Sequence, residues 1–125
     1  MLRLALGRSA HTGKGSVEAN QYQAQAMRTA NTVLTDHDLL VNASLGLAGE
    51  VGEVCDLIKK HLMQGHALDH AKFTQELGDV LWYVALACDT LGLQMGEVMT
   101  ANLAKLSRRY PEGFSVERSL QRVTE

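Results

Sequence analysis

The chain is 125 residues long, 46% hydrophobic and 21% charged, which accommodates one packed domain and leaves no room for two ordinary ones. Aromatics at 5% and a single proline favour helices over a sandwich or barrel, and a net charge of −2 gives no general attraction for nucleic acid polymers, so an anionic partner is expected to be small. Cys55 and Cys88 cannot build a disulfide framework and no apolar run approaches the roughly 20 residues that span a bilayer, so a cytoplasmic protein without membrane association is expected.

Residues 1–16 carry Arg3, Arg8 and Lys14 without an acid and read as a flexible leader. Their Gly13-Lys14-Gly15-Ser16 does not make a phosphate loop, because a glycine follows the lysine where serine or threonine is needed and no strand precedes it. Over 17–30 a loosely helical spacing of Val17, Tyr22, Ala26 and Met27 predicts a first helix, broken at 32–35. Asp36 or Asp38 caps a second, whose stripe of Leu40, Ala43, Leu47, Val51, Val54, Ile58 and Leu62 runs to Gln64-Gly65. Asp69 caps a third, with Phe73, Leu77, Val80, Leu81, Val84, Cys88 and Leu91 on its core side and Gly92 at its end. The fourth runs over 94–109 on Met95, Met99, Leu103 and Leu106, and Pro111 terminates it. Residues 115–125 read as a tail that holds one short helix from Val116 or none. The expected fold is an all-α antiparallel bundle of about four main helices over 17–114.

Chemistry concentrates in four acids. Glu50 and Glu53 on the second helix and Glu76 and Asp79 on the third are each spaced i, i+3, which puts both members of a pair on one face. Helical angles place the Glu76/Asp79 stripe roughly 100° from the apolar centre, on the flank of the core face. Carboxylates there lose water and repel one another, and a divalent cation relieves both costs. Magnesium takes hard oxygen donors and fits such a cluster. Gly46, Gly49, Gly52 and Gly78 near the acids imply close approach of a second helix or a ligand, because glycine inside a helix costs up to about 1 kcal/mol. On the fourth helix Asn102, Lys105 and Arg109 share a flank at i, i+3, i+7, which beside a metal cluster would serve a polyphosphate.

The combination Glu50-x-x-Glu53, Glu76-x-Gly78-Asp79, Asn102-x-x-Lys105 and Arg109-Tyr110-Pro111-x-Gly113-Phe114 resembles the MazG-like all-α nucleoside triphosphate pyrophosphohydrolases, over about 22–114. The resemblance implies hydrolysis of a nucleoside triphosphate to monophosphate and pyrophosphate, a house-cleaning role in the nucleotide pool, and a homodimer or homotetramer. It implies magnesium, with manganese as a substitute, held by Glu50, Glu53, Glu76 and Asp79, and substrate contacts from Lys72, Asn102, Lys105 and Arg109. Many members carry a further glutamate before the first acid, where this chain has Gly49, which leaves the number of metal ions open. Phosphoribosyl-ATP pyrophosphohydrolase is the alternative within the superfamily, and a non-catalytic nucleotide-binding helical dimer the alternative from another class.

His66 and His70 fall at a loop and helix start and read as surface histidines. Neither acid pair carries the Glu-x-x-His of a di-iron bundle. Trp82 and Tyr83 read more readily as packing than as a platform for a base. Trp82 and Leu86 fall on the side of the third helix away from its core stripe, where a second chain is expected to cover them.

Overall fold

A computed structural model describes residues 15–121. The reading of 1–16 as a leader, and of its Gly13-Lys14 pair, lies outside the described residues except for Gly15 and Ser16. The fold is all-α: α1 (Ala19–Ala26) runs into a 3-10 turn (Met27–Thr29), followed by α2 (Asp36–Gln64), α3 (His70–Thr90), α4 (Met95–Arg109) and the short α5 (Val116–Leu120), with no strand among the described residues.

Local chemistry fixes most of these ends. The Glu18 carboxylate accepts from the N–H groups of Asn20 and Gln21, so α1 starts two residues later than its apolar spacing implied. Thr35, not Asp36 or Asp38, caps α2: its hydroxyl oxygen accepts from the Asp38 N–H at 3.2 Å, while the two aspartates sit in the first turn, where the helix dipole favours them. Gly65 closes α2 at φ 72°, a left-handed conformation that suits a residue without a Cβ. Asp69 caps α3 through its bond from the Lys72 N–H at 3.0 Å.

The amino end of α4 is closed differently. Gln94 supplies no side-chain cap. Instead Gln23 Oε1 accepts from Met95 N at 2.7 Å and Asn20 Oδ1 from Gly96 N at 2.9 Å, both reaching over from α1. Gln23 Nε2 donates to Leu93 O at 2.9 Å, so this buried amide is satisfied at both ends.

Packing is dominated by the α2–α3 hairpin, against which α1 lies along α3 and the start of α4. At Gly46 a Cβ would fall inside the ring of Tyr83, so a side chain there is excluded by the approach of α3. Among the described residues, and apart from the helix's own backbone, nothing lies within 4 Å of a Cβ built at Gly49, Gly52 or Gly78, so of the four glycines only Gly46 meets a second helix. A buried group of Ala85, Cys88 and Met95 is covered by Ala19, Tyr22, Ala26, Met27 and Val84.

The core side of α3 differs from the expected one. Leu86 is only 2% exposed and Trp82 is half-buried, whereas Leu77 (44%), Leu81 (49%) and Leu91 (58%) face outward. On the flank that carries Trp82, α1 and the 3-10 turn approach α3, and the indole bonds to Ala26 and Thr29 there. Val51 and Leu62 on α2 and Met99, Leu103 and Leu106 on α4 are likewise exposed.

Candidate active site

The hairpin brings one carboxylate oxygen from each of Glu50, Glu76 and Asp79 to within 4.8 Å of one another. Antiparallel pairing of α2 and α3 makes this possible, because an acid near the middle of α2 then faces acids in the first half of α3. A cleft of about 330 Å³ opens beside them, lined by Glu50, Asp79, Trp82 and Tyr83.

Glu50 is half-buried and Asp79 exposed. Loss of water pushes the Glu50 carboxyl above its ordinary range, and the negative charges of Asp79, Glu76 and Glu53 push it further. A hydrogen bond with Glu76 acts in the same direction, since only a protonated acid can donate one. Three hard oxygen donors this close repel one another and form an arrangement that a divalent cation can occupy, relieving that repulsion.

Glu53 is exposed and does not join the three-acid group, although its charge reaches Glu50 and also Lys60. Asp56, a turn further on, takes both neighbouring lysines: Lys59 Nζ at 2.6 Å, and Lys60. These contacts hold its carboxyl down at about 2.

Lys72 stands exposed in the first turn of α3, four residues ahead of Glu76. Asn102 and Lys105 line a separate groove of about 510 Å³ along α4, with Met99 and Arg108, and Arg109 is half-buried at the end of that helix. Since α4 packs on α1 and α3 and has no substantial interface with α2, the basic flank and the acidic cleft are not brought together by the described packing. The His61 ring instead bonds through Nδ1 to His66 O at 2.8 Å, which ties the α2–α3 connection back onto its helix. His66 and His70 join no group of potential metal ligands among the described residues.

Two features went unread in the sequence. The Tyr22 phenol is pushed up by burial and then by the charge of Asp79, so α1 borders the acids. Trp82 Nε1 donates to Thr29 Oγ1 at 2.8 Å and also contacts Ala26 O at 3.3 Å. Neither has a local spacing signal, because the partners lie more than fifty residues apart.

The MazG nucleotide pyrophosphohydrolase domain family matches residues 41–114, which include α2 after its first turn, α3, all four acids and α4. The chain belongs to this family. It is 35% identical over 74 residues to the "Gene 37 protein" of Mycobacterium phage L5, an alignment that covers 56% of this chain and 65% of that relative. No solved structure matches the chain. Among the described residues no helix is long and apolar enough to cross a membrane.

Proposed function

We propose that the chain hydrolyses a nucleoside triphosphate to the monophosphate and pyrophosphate with magnesium as cofactor. The observation that carries this reading is the convergence of Glu50, Glu76 and Asp79 within 4.8 Å across two helices of a MazG-family domain. Their donor set of carboxylate oxygens fits magnesium, which prefers hard ligands and tolerates water and phosphate in its remaining positions. When bound, the ion supplies neutralisation of phosphate charge and acidification of water.

The chain's own residues then have separable tasks. Glu50, Glu76 and Asp79 hold the cation, and Glu53 acts from the rim, as a fourth ligand or as a base towards water. Lys72, Asn102, Lys105 and Arg109 bind the phosphates, with their charge stabilising the pyrophosphate that departs when the bridging P–O bond breaks. Because α4 has no substantial interface with α2, the last three reach an acidic cleft in a homodimer or homotetramer, whose formation is supported by the exposed Leu77, Leu81, Met99 and Leu103. The resulting role is control of nucleotide pools in the cytoplasm.

A panel of ordinary and modified nucleoside triphosphates tests the reaction. Pyrophosphate and a monophosphate are the expected products, appearing with magnesium and disappearing on chelation. Release of orthophosphate and a diphosphate, or turnover indifferent to chelator, contradicts the assignment.

A further inference from the structure

We infer that Trp82 is the nucleobase-binding wall of the acidic cleft and that Thr29 is a positioning residue that holds its indole. The inference rests on the nucleotide reading given above and names the part of the substrate that Trp82 meets. Trp82 follows Asp79 by three residues, one turn or about 5 Å along the helix axis, and lines the same cleft as Asp79 and Glu50. A sugar spans a comparable distance between its base and its 5′ phosphate. A nucleotide with its phosphates at the acids therefore brings its base to the indole.

The polar atom of the ring is already committed. Nε1–H points to α1 and the turn that follows it, donating to Thr29 Oγ1 at 2.8 Å, and the Thr29 hydroxyl in turn donates to Ala26 O at 2.7 Å. With that donor satisfied away from the site, the indole offers the cleft carbon surface only. Such a surface recognises a flat aromatic group by stacking and is indifferent to its hydrogen-bonding edge. Tyr83 stands nearly perpendicular to it, with ring centroids 5.1 Å apart and an interplanar angle of 87°. Since Tyr83 is backed by Gly46 of α2, the two rings form a fixed corner beside the acids.

Packing alone does not account for Trp82. The buried group of Ala85, Cys88 and Met95 is closed by other residues, and Trp82 remains half-buried at the cleft. Thr29 is exposed, and its hydroxyl accepts from the indole and donates to Ala26 O.

Trp82 is the one tryptophan of the chain, so its emission reports this ring alone. The full chain with magnesium is titrated with an α,β-imido nucleoside triphosphate and, separately, with inorganic tripolyphosphate, following emission and calorimetric heat together. The expected result is that the nucleotide quenches the emission, whereas tripolyphosphate binds and leaves it as it is with magnesium alone. Trp82→Leu should raise KM for the nucleotide about tenfold, the scale of one base–aromatic stack, with kcat and tripolyphosphate affinity retained. Thr29→Val should raise KM by a smaller factor and shift the emission of the free protein, and Thr29→Ser should restore both. Heat from the nucleotide with silent emission overturns the inference, as does a Trp82→Leu chain that loses tripolyphosphate affinity equally. If that variant does not fold, the titration of the parent chain decides by itself. Pyrophosphate release with a silent tryptophan overturns this inference alone; no heat and no turnover with any nucleotide overturns the reaction as well.

Discussion

The α2–α3 hairpin and α4 carry similar amphipathic patterns and meet opposite fates. In the hairpin, Ala43 is buried and Leu47, Val54 and Ile58 are half-buried, and the helices approach so closely at Gly46 that Tyr83 occupies the space of a side chain. In α4 only Met95, at the amino end, is buried, and Met99, Leu103 and Leu106 remain at the surface with exposures of 52%, 64% and 39%. Periodicity states that a helix has an apolar face. It does not state which chain covers that face. The hairpin therefore buries part of its apolar surface within the chain and leaves Val51, Leu77 and Leu81 outside, whereas α4 leaves nearly its whole stripe to what lies beyond the chain.

The widest separation between the two regions should come from the acids. Asp79→Asn keeps the shape and removes one of three clustered charges, so the metal-free fold should be as stable as the parent or more so. Activity should nevertheless fall by orders of magnitude, because a carboxamide is a poor magnesium ligand, and the thermal stabilisation that magnesium confers should shrink with it. Melting curves of parent and variant, with and without magnesium, check this. A lower metal-free melting temperature with an intact magnesium response would instead make Asp79 a scaffold residue.

Next in size is the glycine contrast. Gly46→Ala places a Cβ in the Tyr83 ring and should cost about 1–3 kcal/mol, the range for overpacking a core. Gly52→Ala meets nothing within 4 Å and should gain up to about 1 kcal/mol from helix propensity. Denaturant midpoints of the two variants measure both. Equal effects would refute the close approach at Gly46, and a loss at Gly52 would reveal packing from a second chain.

Smallest in folding free energy, though not in assembly, is Leu103→Asp on α4. A change at so exposed a position should move the stability of one chain by about 0.5 kcal/mol or less. Light scattering should nevertheless report a smaller assembly, because the substitution puts a charge into the proposed interface. An unchanged mass would remove α4 from that interface.

Those four variants also trace what could be read from the sequence. Helix ends at Gly65, Asp69 and Gly92 were legible because a cap is a local device: a left-handed turn or a short acceptor placed next to a periodic run. Thr35 was passed over for Asp36 and Asp38 because all three types make good caps and only geometry chooses among them. The all-α class and the convergence of Glu50 with Glu76 and Asp79 were legible, since i, i+3 pairs on two long antiparallel helices have few ways to miss each other. Glu53 was grouped with them by the same spacing, yet it is exposed and stays outside the three-acid group. The burial of Leu86 over Leu81 could not be read, because it depends on how the other helices pack on α3, which has no local signature. The tie from Trp82 to Thr29, 53 residues away, was hidden for the same reason.

The borrowed cap of α4 has a consequence for how the chain folds. Gln23 and Met95 are 72 residues apart, and Asn20 and Gly96 are 76 apart, so the first N–H groups of α4 find their acceptors only after the chain between them has collapsed. The hairpin needs contacts only across its short connection and can form early, whereas α1 and the start of α4 must order together and late, since closing the larger loop costs more entropy. In the native state the same pair should open as one unit: amide exchange at Met95 and Gly96 should keep pace with that of α1 and run ahead of the middle of α3. A helix at one end of the chain thus sets the local stability of a helix near the other.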